Sequence, residues 1–156
     1  LTALKILSVL VENKPGTLFR VTHMIRLMRL NIEGLTCGVT NGGDRSRITM
    51  TVNGDDATLD FLAKQLSKVI DVYEAQTYSP EEVTARELAL IKLNLSSVSH
   101  LDDRRLQGAR IVETSDRSIT VEVIGSPGEI DRFIHRFDST QILELARTGT
   151  TAVPKG

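Results

Sequence analysis

Cysteine is almost missing from this sequence. Cys37 stands alone, so no disulfide can form within the chain. Its surroundings, GLTCGV, are apolar, and the expectation is a buried thiol in a reducing compartment. Tryptophan is absent, and two tyrosines and four phenylalanines are the whole aromatic supply. A surface for stacking nucleic-acid bases is therefore poorly provided. The formal net charge of −1 gives little long-range attraction to nucleic acid or to an anionic membrane. No apolar run reaches the ~20 residues that span a bilayer, and no signal peptide is visible. The three histidines, His23, His100 and His135, form no H-x-x-x-H pair, and none adjoins Cys37 in sequence. Zinc is not expected on that pattern. P-loop, G-x-S-x-G and dinucleotide fingerprints are missing as well. A soluble, cytoplasmic protein with no cofactor of its own is the expectation.

What the chain does have is periodicity. Its 156 residues, 40% hydrophobic and 25% charged, suffice for one ordinary domain or two very small ones. LKILSVLV at 4–11 reads as a strand with both faces covered, or nearly so. In GTLFRVTHMIRLMRL at 16–30, Leu18, Val21, Ile25 and Met28 recur at steps of three and four and form one helical stripe. NIEGLTCGVT at 31–40 reads as a second strand, NGGD at 41–44 as a turn, and SRITMTV at 46–52 as a third strand with Ile48, Met50 and Val52 on one face. A second helix begins near Asp55 or Asp56, with Leu59, Leu62, Leu66 and Val69 on its apolar side. VIDVYEAQT at 69–77 closes the set as a strand. The order β-α-β-β-α-β is that of the split βαβ, ferredoxin-like arrangement.

YSPEEVTAR at 78–86 is the linker candidate, and a second β-α-β-β-α-β set follows it. Its strands are ELALIKLNL (87–95), ARIVET (109–114), SITVEVIG (118–125) and ILELARTG (142–149). The segment 96–107, in its first-helix position, is polar and only weakly helical. SPGEIDRFIHRF at 126–137 opens with a capping box, Ser126 to Glu129, and carries Pro127 in its first turn. The fold class expected is α+β, two tandem ferredoxin-like domains over residues 1–78 and 79–156. Each can bury only a thin core, and the first has few polar residues for the open face of its sheet. Pairing of sheets between subunits would cover face and edge, which favours a homodimer; packing on the second domain would serve too.

Candidate chemistry is sparse. The RSR pair, Arg45 and Arg47, could hold phosphate or be a solvated hairpin end. The stretch VENKPGTLFR at 11–20 stands apart. Asn13 offers a donor and an acceptor, Pro15 stiffens the loop, Gly16 admits close backbone approach, and the helix that follows presents unpaired N–H groups. Those features suit a free amino acid, but from local sequence alone the leading reading is a strand-to-helix turn, with Asn13 as cap or turn residue and Gly16 as turn.

Taken together, LKILSVLVENKPGTLFRV, NIEGLTCG and SRITMTV resemble the regulatory small subunits of acetolactate synthase (acetohydroxyacid synthase). The ACT-domain pattern N-x-x-G-x-L is present as Asn13, Gly16 and Leu18. The resemblance continues through KQLSKVIDV, RELALIKL and ILELARTG. It implies a first domain of ACT type and a non-catalytic subunit. Such a subunit binds the large catalytic subunit, raises its activity and makes it sensitive to branched-chain amino acids, valine above all. The catalytic partner would carry thiamine diphosphate, Mg2+ and FAD, and condense pyruvate with itself or with 2-oxobutyrate. The effector would lie between two ACT domains. Asn13, Lys14, Pro15, Gly16, Thr17 and Leu18 would come from one chain, Leu18 as packing; Asn31 and Ile32 would come from the other, with Gly38 nearby. Two departures are visible: Pro15 replaces a small residue and its N–H, and the 96–108 segment is slightly short for a helix. The alternatives are a stand-alone ACT-type sensor acting on another enzyme or transcription factor, an RNA-recognition module, which lacks its sheet aromatics here, and a small ferredoxin-like enzyme.

Overall fold

The computed structural model describes residues 3–40, 42–98 and 103–156. Asn41 of the predicted turn, and His100 and Asp102 of the polar segment, lie outside the described residues. Two compact units are formed, residues 1–85 with 149–156, and residues 86–148.

In the first unit the elements follow the predicted order: β1 (Ala3–Glu12), α1 (Thr17–Leu27), β2 (Ile32–Val39), β3 (Arg45–Gly54), α2 (Asp56–Leu66) and β4 (Val72–Tyr78). The sheet order is β2-β3-β1-β4, antiparallel throughout. Alternation sends Leu7, Val9 and Val11 of β1, with Ile48, Met50 and Val52 of β3, to the face covered by the helices, where Val21, Ile25, Leu59, Leu62 and Leu66 meet them. Asp55 caps α2 by accepting from the Thr58 N–H at 2.9 Å. Two readings of the helices need correction. The buried stripe of α1 runs Thr17, Val21 and Ile25, and Leu18 is 40% exposed, because α1 starts at Thr17 and the inward face is set from there. Val69 lies beyond the end of α2, its N–H bonded to the Leu66 carbonyl.

The second face of this sheet is not short of polar groups. Ser8, Thr49 and Thr51 are buried on it, beside Ile6. Part of its cover is the chain's own end: Thr36 Oγ1 donates to the Thr150 carbonyl at 3.1 Å. Gly149, at φ +80°, comes so close that a Cβ there would sit 3.0 Å from the Leu35 nitrogen. A last strand, β9 (Thr151–Pro154), pairs the strand that follows residue 82, and Ala152 packs with Ile6 and Val83. The sequence patterning had no counterpart for β9. Nor is 78–86 a plain linker: a 3-10 turn at Pro80–Glu82, capped reciprocally by Ser79 and Glu82, leads into β5 (Val83–Asn94), which starts four residues before the predicted strand.

In the second unit β5 is followed by β6 (Arg110–Thr114), β7 (Ser118–Gly125), α3 (Pro127–Ile134) and β8 (Ile142–Arg147), in sheet order β6-β7-β5-β8. The capping box forms as predicted, with Ser126 accepting from Glu129 N–H and Glu129 accepting from Ser126 N–H. Where a first helix would stand, the described residues make only two 3-10 turns, Leu95–Ser97 and Arg104–Leu106. The Glu87 side chain is 5% exposed, and Arg147 grips it with Nε at 2.9 Å and Nη2 at 2.8 Å while reaching Asp131 with Nη1 at 2.7 Å. Hydrogen bonding to Glu87 raises the Arg147 pKa above its ordinary value.

Candidate functional site

The loop between β1 and α1 is tied down from two sides. Asn13 donates its backbone N–H to the Asp44 carbonyl at 2.8 Å and its Nδ2 to the Gly43 carbonyl at 3.0 Å; its Oδ1 accepts from Ser46 Oγ at 3.1 Å. Both ends of this amide are engaged with the β2–β3 turn and the start of β3. One proton on Nδ2 and one lone pair on Oδ1 remain for another partner. On the other side stands Asp71. Its backbone carbonyl accepts the Glu12 N–H at 2.8 Å, and its carboxylate, 4% exposed, meets Lys14 Nζ at 2.5 Å and Arg20 Nη1. Lys14 Nζ also reaches Glu12 Oε2 at 3.2 Å. The Lys14 ammonium is therefore already shared by two carboxylates.

Gly16 caps α1 at φ +88°, a conformation that glycine adopts without cost. No side chain caps the helix, and no acidic residue sits in its first turn. The partial positive charge of the helix end is thus left open to an anion. The hydroxyl of Thr17 is buried without a hydrogen-bond partner. Pro15 is exposed in the turn, and Leu18 stands half out of it.

Gly38 belongs to the same end of the sheet: it lies opposite Arg47, which lies opposite Leu10 on its other side. It is exposed, with open space where a Cβ would be. Asn31 and Ile32 do not belong to that end. Ile32 pairs Val52, and Val52 pairs Lys5. The run from Lys5 to Asn13 is about 26 Å of strand at ~3.3 Å per residue. One chain cannot close both groups on a single amino acid. Asn31 and Ile32 instead edge a separate depression of about 460 Å³ with Ile25, Arg26 and Arg29. Asn31 Nδ2 donates to Glu33 Oε1 at 2.9 Å there.

Other sequence candidates separate from this region. Cys37 is exposed, against the expectation of burial. It pairs Ile48, but β2 is an edge strand with no neighbour on its outer side among the described residues. The arginine pair is divided: Arg47 Nη1 donates to Ser8 Oγ at 2.7 Å, whereas the Arg45 guanidinium lies 4.5 Å from the centre of the Tyr73 ring. His23 stacks on Phe19 with ring centres 5.7 Å apart, and His135 Nδ1 lies 2.6 Å from the Asp131 carbonyl oxygen of its own helix. Asp103 pairs Arg105. Among the described residues no group of three or more His, Cys, Asp or Glu is placed to hold a metal, and no helix is long and apolar enough to cross a membrane. Asp71, and the tie of Ser46 to Asn13, went unnoticed in the sequence; Ser46 drew attention there only as a serine without a histidine and acid to activate it. A faint signal for Asp71 exists, since it interrupts two apolar runs after α2 and aspartate tolerates the left-handed conformation it adopts at φ +75°.

Hydrogen bonding from Lys14, reinforced by the nearby positive charges, holds the Asp71 carboxyl below the ordinary carboxylate range. Because the folded value is depressed, its stabilisation is fully present above the unfolded value of about 4 and is lost as pH falls through the folded one. Amide exchange followed along a descending pH series, corrected for intrinsic rates, should show protection of residues 12–17 falling below about pH 4 in the wild type. The same residues in Asp71→Asn should show no such step, and identical profiles would contradict the assignment.

Residues 7–74 match the family model for the AHAS small subunit-like ACT domain, and residues 86–156 match that for the small subunit of acetolactate synthase. The chain is 36% identical to the acetolactate synthase small subunit of Mycobacterium bovis, over 96% of this chain and 91% of that protein. It is 34% identical to that of Haemophilus influenzae, over 97% and 96%. Among solved structures, the acetolactate synthase small subunit from Thermotoga maritima superimposes with a TM-score of 0.89 at 28% identity, covering 99% of this chain and 98% of that one. The chain belongs to the ACT-domain acetolactate synthase small subunits, the family of regulatory subunits in branched-chain amino-acid biosynthesis.

Proposed function

We propose that this chain forms a homodimer through its ACT domains, binds the large catalytic subunit of acetolactate synthase, stimulates it, and makes it sensitive to a branched-chain amino acid, valine first. The observation that carries the dimeric site is the separation of its halves. The Asn13–Thr17 loop and Asn31–Ile32 lie at opposite ends of one sheet, so a pocket that uses both must draw on two chains.

In that pocket the amino acid's carboxylate faces the uncapped start of α1, where Leu18 offers its backbone N–H. Its ammonium takes the remaining acceptor capacity of Asn13, and the partner chain's Ile32 meets its side chain. Pro15 offers no N–H, so it shapes the turn and donates nothing. Catalysis, with thiamine diphosphate, Mg2+ and FAD, is assigned to the large subunit in a cytoplasmic complex. Inhibition requires the effector to bind the less active arrangement of that complex more tightly than the more active one; equal affinity would shift nothing.

Reconstitution with a large catalytic subunit tests this reading. Acetolactate production should rise on adding the chain and fall again on titrating valine. Asn13→Ala severs both side-chain ties of the loop and should move half-inhibition to roughly tenfold higher valine or beyond. Half-inhibition at unchanged valine would remove Asn13 from the site. No stimulation of any catalytic subunit, with valine still bound by the free chain, would favour the stand-alone sensor.

A further inference from the structure

The effector loop does not hold its own shape. Its own backbone bonds are two, Lys14 N–H to the Glu12 carbonyl at 3.0 Å and a long one from Thr17 N–H to the Lys14 carbonyl at 3.4 Å. The rest of its anchorage comes from elsewhere, and the element opposite the Asn13 ties is a single residue, Asp71. We propose that Asp71 is a positioning residue for the effector: it fixes the Lys14–Gly16 turn, and with it the start of α1, in the geometry that receives the amino acid's carboxylate. This rests on the site assigned above.

Three features converge on it. The Asp71 carboxylate is 4% exposed, while its two cations, Lys14 and Arg20, are 41% and 46% exposed. The carboxylate thus lies beneath them as the fixed point. Those cations flank the turn: Lys14 lies within the loop, and Arg20 lies one turn into α1, with its N–H on the Gly16 carbonyl at 3.1 Å. One buried anion therefore links both sides of Gly16. The backbone of Asp71 also enters, since its left-handed conformation turns its carbonyl onto Glu12 N–H, the last residue of β1. Loop, helix start and strand end are all held from this one position. The carboxylate is satisfied by its own cations, so its effect on the ligand passes through them, not through contact.

Asp71→Asn is the informative change, because asparagine accepts the same left-handed backbone and nearly the same shape while losing the charge. Calorimetric titration of the full-length dimer with valine, well below each variant's unfolding midpoint, reads affinity apart from stability. Asp71→Asn should weaken valine binding roughly ten- to a hundredfold, with faster amide exchange confined to residues 13–20. Arg20→Gln, at an exposed position, should weaken it less, and it carries the test if Asp71→Asn does not fold. Unchanged affinity in a folded Asp71→Asn or in Arg20→Gln, beside wild-type binding that Asn13→Ala impairs, overturns the role of Asp71 alone. Wild-type protein that binds neither valine, leucine nor isoleucine overturns the site itself and this inference with it.

Discussion

Gly16→Val is expected to abolish inhibition of a reconstituted enzyme by valine at concentrations that saturate the wild type, and to cost about 2 kcal/mol of stability. The space around Gly16 is open: nothing lies within 4 Å of the position a Cβ would occupy. The cost is therefore torsional. At φ +88° a β-branched side chain collides with its own backbone, and relaxing to negative φ would redirect the first N–H groups of α1 away from the pocket. Gly16→Asn is the matched control, since asparagine tolerates the left-handed region; it should retain most of both stability and inhibition. Far-ultraviolet circular dichroism in a denaturant series measures the first quantity, and half-inhibition by valine the second. If the asparagine and valine variants behave alike, backbone conformation is not what Gly16 supplies.

The second large effect lies in the other unit. Arg147→Met should destabilise it by about 3 kcal/mol, at the lower end for a broken buried ion pair because Arg147 is about one third exposed. The loss comes mainly from Glu87, left with its side chain 5% exposed and without its two charge-assisted hydrogen bonds. Replacing Glu87 as well, in Glu87→Met with Arg147→Met, removes the stranded charge and should recover most of the stability. Unfolding of the two single variants and the double variant, followed by circular dichroism, forms the cycle. A double variant whose loss equals the sum of the single ones would show no coupling between Glu87 and Arg147 and would contradict the stranded-charge account.

The hydrophobic rhythm of the chain was enough to place most elements. Ile48, Met50 and Val52 recur at the period of a strand, Leu59, Leu62 and Leu66 at the period of a helix, and each set is buried as its rhythm demands. Local chemistry was equally legible at the ends of α2 and α3, because Asp55, Ser126 and Glu129 act on neighbours within three residues. Misreadings arose where distant parts of the chain decide. Cys37 has an apolar setting in sequence, yet its strand is the edge of the sheet. The second face of the first sheet is polar and partly covered by residues 149–152, over a hundred positions from the Thr36 hydroxyl that holds them. No local pattern reports such a contact.

The same division runs through the candidate site. Asn13, Gly16 and the helix start were visible as a polar break between two apolar elements, because a turn at positive φ and an uncapped helix end are local matters. That Asn13 spends its amide on the β2–β3 turn, and that Asp71 holds Lys14 and Arg20, follow only from the sheet that brings β3 and β4 to either side of β1. Element order, core faces and the position of the loop were readable in the chain, each set by interactions between near neighbours. What holds that loop, and which end of the sheet each half of the site occupies, came from the fold, since the pairing of β1 with β3 and β4 joins residues 33 to 72 positions apart and leaves no mark in local composition.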